Sequence, residues 1–189
     1  TTEHGPFGGA VLSGWQFSAN YGPEALLDGP SQFDFIDGGG CRFAALAFAQ
    51  IDAAGTVNVT RFGAANPGAG GFIDIAANAE RLVFAGTFST DGLDVGCVDG
   101  RLTIHREGAV RKFVPAVDCV TYRAGDGVAR GQRAMVVTER AVFDLTPTGL
   151  RLIEIAPGVD PRRDLLDQID FPVDVASELT TMDPALFRP

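Results

Sequence analysis

The stretch G-A-G-G-F-I-D-I-A-A-N-A, Gly68 to Ala79, runs through Glu80 into R-L-V-F-A-G, Arg81 to Gly86, and its reading decides the fold. The leading glycines permit a tight turn, and the residues behind them are good helix formers with Asp74 in the first turn, where a carboxylate favours the helix dipole. The spacing predicts a helix over Phe72 to Ala79 and a short buried strand over Arg81 to Gly86. Towards the N-terminus, Phe43 to Ile51 is apolar and bounded by Gly38–Gly40 and Asp52–Gly55, which predicts another buried strand. Val57 to Thr60 alternates and predicts one more. Strand, glycine-rich turn, helix and strand in succession are the pattern of an α/β fold. Its sheet is open and mostly parallel, flanked by helices, with ligands at the carboxyl ends of the strands.

The second half reads as antiparallel hairpins added to that sheet. Leu93 to Val98 and Arg101 to Arg106 flank Asp99-Gly100, a strong signal for a two-residue turn. Ala134 to Thr138, Ala141 to Leu145 and Leu150 to Ile155 predict three more strands, the last two joined by T-P-T-G, Thr146 to Gly149. Pro161 to Gln168 begins with a proline suited to a first helical position and carries Leu165-Leu166, so a short helix is expected. The tail from Phe171 holds Pro172, Pro184 and Pro189 and is expected to wrap the body as extended chain.

A chain of 189 residues, 46% apolar and 21% charged, suits one domain over 1–189. Its longest apolar run, Phe43 to Ala49, is far short of the roughly 20 residues of a membrane helix. The first residues show no basic or apolar leader, and the chain opens on Thr1, not Met. The net charge of −9 repels phosphate backbones and anionic lipid, so neither nucleic acid nor membrane is expected as a partner. The bases are almost all Arg, with Lys112 the one lysine. Cys41, Cys97 and Cys119 are odd in number and lack a C-x-x-C pair, which points away from a disulfide framework or zinc and towards a reducing cytoplasm. They read as small core residues. Asp34 and Asp37 flank Phe35 without a His or Cys nearby and read as a solvated turn, so no metal is expected. His105 falls in the predicted hairpin and should be exposed.

Glu3, in T-T-E-H-G-P-F-G-G, is either a solvated residue at a frayed end or a carboxylate presented by a glycine turn as a nucleophile. Its neighbour His4 has no placed partner to make it a base. Taken in order, E-H-G (Glu3 to Gly5), Q-F-D-F-I-D-G-G-G (Gln32 to Gly40), I-D-A-A-G-T-V-N-V-T-R-F-G (Ile51 to Gly63) and the Gly68–Ala79 block resemble the catalytic half of the family I CoA-transferases. V-V-T-E-R-A-V-F (Val136 to Phe143), L-I-E-I-A-P-G-V-D (Leu152 to Asp160) and the terminal M-D-P-A-L-F-R-P extend the resemblance over nearly the whole chain. It is this resemblance that favours the catalytic reading of Glu3.

The resemblance implies a fold like that of the NagB and RpiA proteins and transfer of CoA from a short-chain acyl-CoA to a free carboxylic acid. Such chemistry belongs to short-chain fatty acid and ketone body metabolism. Glu3 would carry CoA as a glutamyl thioester, so CoA is substrate and covalent intermediate and no cofactor is permanently bound. Gly70 and Gly71 match the family's G-G-F pair and are the candidates for CoA contact and oxyanion stabilisation. Gly38, Gly39 and Gly40 match a loop near the family's active site and are candidates for backbone approach to substrate, or a simple turn. Cys41 and Arg42 depart from the usual residues after that loop and leave the acyl preference open. The resemblance further implies a C-terminal, β-type half whose N-terminal strand and α-type half lie elsewhere, exposing an apolar face, and a homo-oligomer of the complete enzyme. Two alternatives stay open: an acyl-CoA hydrolase on the same scaffold, or a non-catalytic assembly subunit.

Overall fold

The computed structural model describes residues 1–188. At its centre is a six-stranded sheet: β1 (Phe43–Ala47), β2 (Arg81–Ala85), β3 (Arg133–Val137), β4 (Ala141–Thr146), β5 (Gly149–Ile155) and β6 (Asp174–Thr181). The strands lie side by side in sequence order, β1, β2 and β3 parallel, β3–β4–β5 an antiparallel meander, β6 parallel to β5. The fold is therefore α/β with a mixed, mostly parallel sheet. Three short helices accompany it, α1 (Gly29–Phe35), α2 (Phe72–Asn78) and α3 (Ala124–Ala129). One face of the parallel part is closed by the Phe72 ring of α2, stacked 5.8 Å from Phe84 of β2, which in turn meets Tyr122 at 5.1 Å. Gln132 ties the layers by donating to the carbonyls of Ala76 and Ala79 at the end of α2. The opposite face of β1 to β3 is open, with Phe43, Ala45, Ala47 and Met135 exposed.

The expected crossover unit is present: β1, the glycine turn, α2 and β2 follow in order, and α2 and β2 lie within a residue of the predicted limits. Asp99 and Gly100 both take positive φ, 51° and 75°, and close the hairpin Asp94–Val98 to Arg101–Arg106 as the pair promised.

Four readings need correction. Phe43 to Ile51 is not one strand: β1 stops at Ala47, Phe48 turns in to pack against Phe113, and Gln50–Ile51 joins Thr56–Asn58 and Tyr122–Arg123 in a small separate sheet. The Asn58 amide, donating to Gln50 at 2.7 Å, pins that departure. Pro161 to Gln168 is not an α-helix. Asp160 does cap the amides of Arg162 and Arg163, but Leu165 drops fully into the core at φ −129°, ψ −72°, and only a 3-10 turn at Leu166–Gln168 survives. The tail is no mere wrap, because Asp174–Thr181 adds a strand to the sheet edge; Pro189 lies outside the described residues. Cys97 is exposed on the hairpin, and Cys41 and Cys119 are half-buried, so none belongs to the core proper. His105 is exposed as expected.

Candidate active site

Glu3 sits in a turn closed by the Gly5 amide donating to Thr2 O at 3.2 Å. Gly5 is required there: its φ is +97°, and a Cβ would run into the Leu27 carbonyl. The turn is fastened from several sides. The Thr2 hydroxyl donates to Ser18 O at 2.8 Å, and the Leu27 amide donates to Gly5 O at 2.9 Å. The fully buried Gln32 of α1 donates to Thr1 Oγ1 and Thr2 O, both at 3.1 Å. A frayed end is thus not what the structure contains around Glu3.

These ties carry the Glu3 side chain to the start of α2. A Cβ on Gly71 would stand 2.6 Å from Glu3 Oε2 and 2.7 Å from the Phe33 ring of α1, so the missing side chain is what admits the carboxylate. Among the described residues no donor bonds that carboxylate, and His4 Nδ1 stands 3.9 Å away. With 37% of its side chain exposed, Glu3 is open to an incoming molecule. Gly71 is buried and takes an ordinary helical conformation (φ −75°, ψ 0°), whereas Gly70 is exposed with φ +54°. The Phe72 amide is spent on Ala69 O, and the Gly70 and Gly71 amides have no acceptor among the described residues.

Gly38, Gly39 and Gly40 make no direct contact with Glu3. They end a π-type turn, Ile36–Gly40, that continues α1, with Gly39 at φ +86° and Gly40 held bare by the Phe35 ring against it. Asp37 accepts from Asn78 Nδ2 at 2.9 Å, which places the turn beside the C-terminal end of α2, about 10 Å from Gly71 by helical rise. Arg42 is exposed and makes no ion pair among the described residues.

A charged cluster around a buried arginine, beyond the carboxyl ends of the parallel strands, was missed in the sequence reading. Arg140 is fully buried yet pairs with Glu107 through both terminal nitrogens, 2.7 and 3.1 Å, and with Glu139 through Nε at 2.6 Å, while lying 4.5 Å over the Phe88 ring. Burial pushes the Glu107 carboxyl up, but the bonds from Arg140 and Ser89 outweigh it and leave the pKa below its ordinary value. A charged T-E-R inside an apolar segment was the visible sign.

No family model matches the chain. It is 44% identical over 187 residues to acetate CoA-transferase YdiF of Escherichia coli strain K12, covering 99% of this chain and 35% of that protein. It is 42% identical over 192 residues to caffeate CoA-transferase of Acetobacterium woodii, again covering 99% of this chain and 36% of the relative. The apoenzyme structure of YdiF from Escherichia coli O157:H7 superposes with a TM-score of 0.92 at 42% identity over the whole chain, which covers 36% of it. The decarboxylase AibA/AibB (TM-score 0.69, 19% identity, covering 95% of this chain and 68% of that one) shares the fold alone, so fold by itself does not select the chemistry. The chain spans about a third of the curated relatives it matches. Over nearly its whole length the chain is therefore similar, in sequence and in fold, to about a third of these CoA-transferases, the family that its motifs resemble.

Proposed function

We propose that the protein carrying this chain transfers CoA from a short-chain acyl-CoA to a free carboxylic acid, with Glu3 as nucleophile. The observation that carries the reading is the Glu3 carboxylate, unbonded and part exposed, lodged against the bare backbone of Gly71. A carboxylate oxygen of Glu3 attacks the thioester carbonyl carbon, the C–S bond breaks, and a mixed anhydride and CoA thiolate result. The thiolate attacks the glutamyl carbonyl carbon and releases the first acid as its carboxylate, leaving Glu3 as a CoA thioester. The acceptor carboxylate then runs the two steps in reverse. No proton is gained or lost, so neither His4 nor another base is required, and the thioester bond is conserved without ATP. Each step passes through an oxyanion, for which the open Gly70 and Gly71 amides supply donors.

The reading extends to a second part. Coverage of about a third of the relatives and an open sheet face support a site completed by the rest of the same enzyme, an α-type half N-terminal to this chain, assembled as an oligomer. Free cysteines at all three positions accord with a reducing, cytoplasmic setting. Steady-state kinetics of the full-length protein test the reaction. Parallel double-reciprocal lines for acyl-CoA and acid, with CoA release that requires acceptor, are expected. Acceptor-independent release of CoA would make the protein a hydrolase instead.

A further inference from the structure

Glu3 Oε2 and the edge of the Phe33 ring converge on one spot. A Cβ on Gly71 would stand 2.6 Å from the oxygen and 2.7 and 2.9 Å from Phe33 Cζ and Cε1. Ring edge and nucleophile are therefore no more than about 5 Å apart, so an acyl group bonded to that oxygen has the ring within contact range. Phe33 comes there because α1 is locked in rotation. Its neighbour Gln32 is fully buried and donates to Thr1 Oγ1 and Thr2 O, and Asp28 caps the helix by accepting from the Ser31 amide. Phe35, two residues on, is engaged elsewhere, edge-on to Phe7 at 5.3 Å and against Gly40. Phe33 itself is half-buried. It turns its ring edge, the electropositive part of an aromatic quadrupole, to the spot it shares with the carboxylate, so it stands near an anion without repelling it.

The chemistry at Glu3 sorts what surrounds it. In the first tetrahedral intermediate the acyl carbon carries the glutamyl oxygen, an oxyanion, the CoA sulfur and the acyl chain. The oxyanion needs donors, which the open Gly70 and Gly71 amides supply. A phenyl ring solvates neither an oxyanion nor a departing thiolate, so the group that suits it is the chain. We propose that Phe33 is the wall of the acyl site and sets the length of acid that the protein accepts, an inference that rests on the transferase reading above. A chain growing from the carbonyl carbon meets the ring within about two carbons, so acetyl and propionyl groups fit and longer chains must turn aside. Donor acyl group and acceptor acid occupy the same place in the mixed anhydride, one in each half of the cycle. One ring therefore governs both.

The test uses the full-length protein, with acyl-CoA donors from acetyl to hexanoyl and the matching free acids as acceptors, in the wild type, Phe33→Ala, Phe33→Leu and Phe33→Trp. The wild type should lose at least about tenfold in kcat/KM between propionyl-CoA and hexanoyl-CoA. Phe33→Ala should raise the hexanoyl-to-propionyl ratio by at least about tenfold, and Phe33→Leu by less, whereas Phe33→Trp should lower the propionyl-to-acetyl ratio. The hexanoate-to-propionate ratio of the acceptors should move with that of the donors in every variant. Each ratio is taken within one variant, so a variant that is less stable or less active overall still reports on the wall, and Phe33→Leu keeps an apolar side chain if Phe33→Ala does not fold. A ratio that stays flat in the smaller variants would overturn the assignment. So would a kcat/KM that changes by the same factor at every chain length, the result expected if the ring touched CoA and not the acyl chain. If the donor ratios shift as stated while turnover proves independent of acceptor, it is the transferase reading that fails, not the acyl wall.

Discussion

Glu3 meets Gly71 through a chain of specific contacts: Gln32 holds Thr1 and Thr2, Thr2 closes the turn with Gly5, and the bare α-carbon of Gly71 leaves room for the carboxylate. Gly71→Ala is the smallest change that intrudes on it. Its backbone angles suit alanine, but the Cβ must displace the Phe33 ring as well as the carboxylate, so stability should fall by about 1–3 kcal/mol. The carboxylate must move by roughly an ångström, and kcat/KM should fall about 10²-fold. Thermal denaturation beside steady-state kinetics checks both; a large loss of stability with normal kinetics would make Gly71 a purely structural glycine. Little of this pairing was legible from local sequence. Glu3 by itself reads as a solvated end, and only the ordered set of motifs linked it to the Gly70-Gly71 pair.

Secondary elements were legible where a local cause fixes them, as for α2 and the Asp99-Gly100 hairpin, and illegible where a tertiary contact overrides. Leu165 abandons a helix to fill the core, and Phe48 ends β1 early to reach Phe113. α1 escaped notice although its start is signalled, with Asp28 accepting from the Ser31 amide at 2.9 Å and Pro30 in the first turn. Asp28→Ala should weaken the start of α1 and, by loosening Gln32, speed hydrogen exchange at the Gly5 amide. The Arg140 cluster joins the end of the hairpin to the β3–β4 turn. Arg140→Met leaves the half-buried Glu107 and Glu139 without their cation and should cost about 1–3 kcal/mol in chemical denaturation. The Glu107 pKa is depressed in the folded protein, so its contribution is complete above the unfolded value near 4.5 and is lost as pH falls through the lower, folded value. Wild-type stability should therefore decline below about pH 4.5, and Arg140→Met should flatten that part of the profile.

The molecule as a whole is closed on one side of its sheet and open on the other. Parallel strands are ordinarily covered on both faces, and here Phe43 and Met135 stand bare on β1 and β3. Val11, Trp15 at 92% exposure, Phe17 and Tyr21 add an apolar ribbon from the N-terminal segment. In the full-length protein these surfaces should be covered by the rest of the enzyme. Hydroxyl-radical footprinting should find the Trp15 and Phe43 peptides protected there and oxidised in the isolated 1–189 segment; equal oxidation in both would remove the docking role. The central claim, that Glu3 is the group on which CoA is carried, is tested most directly by peptide mass spectrometry of the full-length protein after exposure to acyl-CoA without acceptor. The account predicts a CoA adduct on the peptide containing Glu3, absent from Glu3→Gln, which should fold normally and not turn over. A wild-type protein that turns over while its Glu3 peptide stays unmodified, or a Glu3→Gln variant that keeps substantial activity, would contradict it.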